Sequence, residues 1–128
     1  MGKFAENVRE LEAYTSSFEL QQRIFQISKA WPSDEKFALT GQIRRSSRSI
    51  GANLSEAWAK RRYHAHFLSK LTDCDGELQE TIHWMGTAAA CGYLASNDQK
   101  DLESRLHLIG CLLGSMIQRY QSFCHFAS

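Results

Sequence analysis

The sequence predicts an all-α chain, an antiparallel up-down-up-down four-helix bundle, and three observations carry that expectation. Apolar residues recur at helical spacing in four long stretches. One proline, Pro32, and eight scattered glycines leave those stretches almost free of breakers. Short connections join them, which makes sequence neighbours antiparallel. With 128 residues, 43% of them hydrophobic, the chain can bury one real core. A single domain over 1–128 is expected, with residues 1–15 irregular or extended.

The first helix is expected to begin near Ser16, where Ser16 and Glu19 have capping-box spacing. It carries Leu20, Ile24, Ile27 and Trp31 at steps of four, three and four, and Pro32 ends it. Ser33, Asp34 and Glu35 then offer a cap and first-turn acids for a second helix. Its stripe is Leu39, Ile43, Ile50, Leu54 and Trp58, with Ser47 in the gap. The small residues Ser46, Ser47, Gly51, Ala52 and Ser55 would let another helix approach closely.

A third helix is expected from about Tyr63 to Tyr93. Phe67, Leu71, Cys74, Leu78, Ile82, Met85 and Ala89 form its seam, and Gly76 interrupts it without ending it. Ser96 with Gln99 repeats the capping-box spacing and opens a fourth helix bearing Leu102, Leu106, Ile109, Leu113, Met116 and Tyr120. Gly110 and Gly114 make a G-x-x-x-G step that permits close crossing. Trp84, Tyr93 and Phe123 exceed the needs of these seams and point to a subunit interface.

Cys74, Cys91, Cys111 and Cys124 form no C-x-x-C pair and sit among apolar residues, so reduced thiols acting as small hydrophobes are expected in a cytoplasmic protein. No apolar leader follows Met-Gly-Lys-Phe, and the longest apolar stretch, 106–117, is too short to span a bilayer.

Net charge is only +1, so any nucleic-acid argument rests on distribution. From Lys36 to Arg62, seven cations (Lys36, Arg44, Arg45, Arg48, Lys60, Arg61 and Arg62) face the single acid Glu56. Arg44, Arg45 and Arg48 are three and four apart and should project together, away from the apolar stripe. Guanidinium groups so placed suit phosphate oxygens, giving affinity and salt dependence without reading base sequence. Tyr63, His64 and His66 beside Lys60-Arg61-Arg62 could stack on unpaired bases. The competing reading pairs these arginines with Asp73, Asp75, Glu77 and Glu80 of the third helix, as a register device within or between protomers.

Catalysis finds no support. Glu80 and His83 give one E-x-x-H, but a carboxylate-bridged di-iron site needs a second copy and two further inward glutamates. His64 and His66, two apart, face different sides of a helix. No nucleophile elbow, phosphate loop or paired catalytic carboxylates occur. A non-enzyme without cofactor or metal is expected.

The stretch from Gln42 to Ala57 (QIRRSSRSIGANLSEA), then Lys60-Arg61-Arg62-Tyr63, 71–81 (LTDCDGELQET) and Cys91-Gly92-Tyr93-Leu94, resembles the bacterial four-helix-bundle family encoded in intervening sequences of large-subunit ribosomal RNA genes. The likeness runs from about Phe18 onward, with the fourth helix matching only in pattern. Ala57 stands where many members have glycine, and Ser55 where alanine is common; both departures touch packing more than charge. The resemblance implies an antiparallel bundle often assembled as a homopentamer, and kinship to the accessory protein of diversity-generating retroelements, whose basic surface engages nucleic acid and a reverse transcriptase. On that likeness Arg44, Arg45, Arg48, Lys60, Arg61 and Arg62 are the matching positions. Ribosome association is not carried over, because that label reflects gene location.

Overall fold

Four helices stand where apolar spacing places them: α1 over Glu12–Ser28, α2 over Gly41–Ala59, α3 over His64–Ala90 and α4 over Ser96–Gln118. A computed structural model describes residues 7–8 and 11–124. Each helix packs on its neighbours in sequence, and α1 packs on α4, which closes a four-sided bundle around one core. Cross-helix pairs fix the directions. Ser28 meets Arg44 while Tyr14 lies near Gly51; Arg45 meets Glu77 while Glu56 meets Lys70; Arg23 meets Asp98 while Glu19 meets Arg105. Rising numbers on one helix pair with falling numbers on the next, so adjacent helices run antiparallel.

The α2 stripe lies as expected: Leu39, Ile43, Ile50, Leu54 and Trp58 are buried, with Ser47 among them. Of the five small residues expected to admit a neighbouring helix, Ser46, Ser47 and Gly51 face inward, whereas Ala52 and Ser55 are exposed. On α4 the five residues from Leu102 to Met116 are buried as predicted, and Tyr120 falls in a following 3-10 turn, Tyr120–Phe123.

Several boundaries and one seam differ from expectation. Helix α1 starts at Glu12, so Ser16 is interior and residues 12–15 are helical rather than irregular. The apolar stripe runs one turn further back than the large residues reveal, through Ala13 and Ser17, whose hydroxyl donates to the Ala13 carbonyl at 2.6 Å. The rest of the 1–15 expectation lies mostly outside the described residues. Between Ser33 and Gly41 the chain forms a 3-10 turn and then a widened π turn, Lys36–Thr40, before the α-helical pitch sets in. Gly41 serves that wide turn: its N–H bonds the Lys36 carbonyl, and a Cβ here would stand 2.8 Å from that oxygen. Helix α3 stops at Ala90, three residues before Tyr93, because Gly92 takes φ +78 and the Tyr93 N–H closes back on the Ala88 carbonyl at 3.0 Å.

Along α3 the buried set is Phe67, Leu71, Cys74, Leu78, Thr81, Met85 and Ala88, a strict alternation of four and three. Ile82 and Ala89, expected in this seam, turn outward, and Ile82 is 36% exposed. Thr81 takes the inner position because its hydroxyl has a partner there: it donates to Ser46 Oγ at 2.9 Å, and Ser46 donates to the Ile43 carbonyl.

Trp84, Tyr93 and Phe123 are only half-buried, yet each has an assignment within the chain. Trp84 Nε1 reaches Glu80, Tyr93 packs on Trp31, and Phe123 packs on Trp58 and Phe67. The surplus apolar surface is elsewhere, at Phe18, Phe37, Tyr63, Ile82 and Leu108. Cys74 and Cys124 are buried, but Cys91 and Cys111 are exposed, so only two of the four act as core residues. No helix among the described residues is long and apolar enough to cross a membrane.

Candidate nucleic-acid interface

Helix geometry divides the three central arginines. Arg44 and Arg48, one turn apart, lean towards α1, and Arg45 leans the other way, towards α3. The expected single row is therefore corrected: position 45 lies 100° from 44, enough to send its long side chain to the opposite neighbour.

Arg45 is engaged on both of its terminal nitrogens. It forms a fork with Glu77 at 3.2 and 3.3 Å and a second bond with Glu80. These contacts push the guanidinium well above its ordinary range and, through the Arg45 hydrogen bond first, hold Glu80 below the usual carboxylate value. Other acids are also committed. Glu56 and Asp73 share Lys70, while Asp98, Asp101 and Glu19 pair with Arg23 and Arg105 across α1 and α4.

On the α1 side the arrangement differs. Phe25, half-buried, is the hub of three cations: Lys29 Nζ at 4.7 Å, Arg44 Cζ at 4.8 Å and Arg48 Cζ at 5.5 Å from its ring centroid. Arg44 is held by its Nε, which donates to Ser28 Oγ at 2.9 Å, and Ser28 donates to the Phe25 carbonyl at 3.2 Å. Among the described residues none of these three cations has a carboxylate partner. All three charges fall within about one Debye length of each other, ~10 Å at 0.1 M salt, so their mutual repulsion is only partly screened. The ring face offsets part of that cost through cation–π attraction, and an anion would offset more.

Lys60, Arg61 and Arg62 stand at the other end of α2, roughly 20 Å away at 1.5 Å per residue. Arg61 lies flat on Trp58 at 3.7 Å and donates Nε to the Trp58 carbonyl at 2.9 Å, while Lys60 and Arg62 are exposed. Of the six arginine and lysine positions singled out by the sequence, Arg44 and Arg48 stand towards one end of α2 and Lys60, Arg61 and Arg62 at the other, while Arg45, beside the first pair, is tied to α3. Phe25 and Lys29 were missed because they lie on α1 and at its C-terminal cap, outside the basic run; their spacing of four residues was the available signal.

The E-x-x-H pair is spent on packing: Glu80 accepts from Arg45 and Trp84, and the His83 ring stands edge-on to Trp84 at 4.8 Å. Among the described residues no three His, Cys, Asp or Glu side chains gather as they would around a metal ion.

Comparison with known proteins adds a family context. The family model described as 23S rRNA-intervening sequence protein matches residues 9–115. A crystal structure of a protein of unknown function from the S23 ribosomal protein family of Bacteroides thetaiotaomicron is similar at 30% identity, over 83% of this chain and 95% of its own, with a TM-score of 0.74. None of the curated proteins compared with the chain matches it.

Proposed function

The chain belongs to the 23S rRNA-intervening sequence protein family, and from that premise we propose that it is a non-catalytic, self-associating, cytoplasmic bundle that binds RNA through basic surface built mainly on α2. The family's name describes where its genes lie, so the reading is carried by one observation on the molecule: Lys29, Arg44 and Arg48 converge on Phe25 without a carboxylate among them. A phosphate would relieve their repulsion and accept the N–H donors that Arg44 and Arg48 still offer. Lys60, Arg61 and Arg62 form the second basic end. Arg45 does not contact RNA in this account; it sets the register of α2 on α3, which is the part of the pairing alternative that the geometry favours.

Self-association is supported by the outer face of α3 and α4. Ile82 is 36% exposed and lines a groove of about 400 Å³ together with Leu78, Met85, Leu106 and Gly110. Covering this face with further copies, up to a closed ring such as a pentamer, would remove apolar surface from water. A reverse transcriptase, by likeness to the retroelement accessory protein, is the protein partner this reading allows.

Gel-shift titration with a structured RNA tests the reading. The variant carrying Lys29→Gln, Arg44→Gln and Arg48→Gln should lose most RNA affinity while light scattering reports an unchanged assembly. A variant that binds RNA as tightly as the parent refutes the site, and one that falls to monomers supports the scaffold alternative.

A further inference from the structure

Resting on the RNA-binding reading above, we propose that the turn between α2 and α3 is a site for unpaired bases, with Tyr63 as the stacking platform and Lys60 and Arg62 as flanking phosphate contacts. Tyr63 is 58% exposed, among the most exposed large hydrophobic residues of the chain. Its ring is not used in the core, and its nearest aromatic neighbour is His66, at 5.4 Å and 51°. Lys60 and Arg62 are exposed on either side in sequence, and neither forms an ion pair among the described residues. The nearby acid Glu56 is taken by Lys70 at 2.6 Å, which leaves positive charge in excess at this turn.

The turn is held before any ligand arrives. The Tyr63 N–H bonds the Lys60 carbonyl at 3.0 Å, and the Tyr63 carbonyl accepts from Phe67 at 2.9 Å. Behind them Arg61 lies on Trp58, which packs against Phe123. A ring carried on an already ordered backbone leaves less freedom to lose when a base covers it, so more of the stacking energy appears as affinity.

The site selects strand state by geometry. An exposed ring on a protruding turn can meet a base only if the base's flat face is free, as in single strands, loops and bulges. In a duplex those faces are covered, and only the phosphate contacts of Lys60 and Arg62 remain. The Phe25 cluster, by contrast, offers charge alone and serves either form.

Fluorescence anisotropy with two labelled RNAs of roughly a dozen nucleotides, a uridine homopolymer and a perfect duplex, tests this. The parent protein should bind the single strand more tightly than the duplex. Tyr63→Ala should weaken single-strand binding roughly tenfold and leave duplex binding unchanged, while Tyr63→Phe keeps the parent's preference. The ring is exposed, so both variants should fold, which circular dichroism checks. An unchanged single-strand affinity in Tyr63→Ala, or equal losses on both RNAs, overturns the stacking site while leaving the RNA-binding reading intact. A parent protein that binds neither RNA overturns that reading and this one with it.

Discussion

Arg45 and Glu77 meet across α2 and α3 as parallel forks, Nη1 to one carboxylate oxygen at 3.2 Å and Nη2 to the other at 3.3 Å. Glu80 completes the set on the same guanidinium, so a residue in the middle of the basic run is spent on helix register. Because half of the Arg45 side chain is exposed, solvent screens the pair. Arg45→Gln should therefore cost only about 1 kcal/mol in urea unfolding and leave RNA affinity within about twofold. Glu80 is held below its ordinary value of 4.5, so its contribution is present above that value and is lost as pH falls below it. The parent's advantage over Arg45→Gln should shrink through that acid window.

Gly41 and Gly76 should respond oppositely to alanine. At position 41 a Cβ meets the Lys36 carbonyl, a backbone atom that cannot swing aside, and the variant should lose about 1–3 kcal/mol. At position 76 a Cβ meets nothing within 4 Å, so Gly76→Ala should gain roughly 0.5–1 kcal/mol from helix propensity. Thermal unfolding of the two variants beside the parent checks both signs.

Tyr93 donates its hydroxyl to Glu35 at 2.9 Å, tying the α3–α4 connection to the start of the second helical segment. That bond, helped by burial, pushes the phenol up to about 12. A raised value means the folded chain holds the proton more tightly, so the stabilisation is complete below pH 10 and disappears as pH climbs from 10 to about 12. Tyr93→Phe should be less stable than the parent at neutral pH, and the gap should close across that alkaline window.

Burial pushes the Cys74 thiol up to about 12, whereas Cys91 is exposed. Iodoacetamide at pH 8 should modify Cys91 in the native protein and reach Cys74 only after unfolding in guanidinium, as peptide mass mapping can follow. Cys74→Ser, which buries a hydroxyl in an apolar seam, should cost about 1–3 kcal/mol.

The four helices were legible in the sequence because large apolar residues mark their inner faces, and the α2 and α4 stripes were read almost residue for residue. Where small or polar residues carry the pattern, it was not. Ala13 and Ser17 hid the first turn of α1, and Thr81 hid the true α3 seam, because its suitability for the core depends on Ser46 of another helix. The end of α3 was available from Gly92, whose left-handed backbone closes the helix. For the site, charge in the Lys36–Arg62 run was plain, but its division was not. One-dimensional spacing grouped Arg45 with Arg44 and Arg48, and only the neighbours, Glu77 on one side and Phe25 on the other, separate them.

Salt-dependent RNA affinity measures the central claim most directly, with the parent compared against the Arg44→Gln/Arg48→Gln variant and Arg45→Gln as the control. If the charges around Phe25 contact phosphate, the parent's log–log slope should be steeper than the double variant's by about 1.4 on single-stranded RNA, and the control should match the parent. Identical slopes and affinities in all three proteins contradict the account.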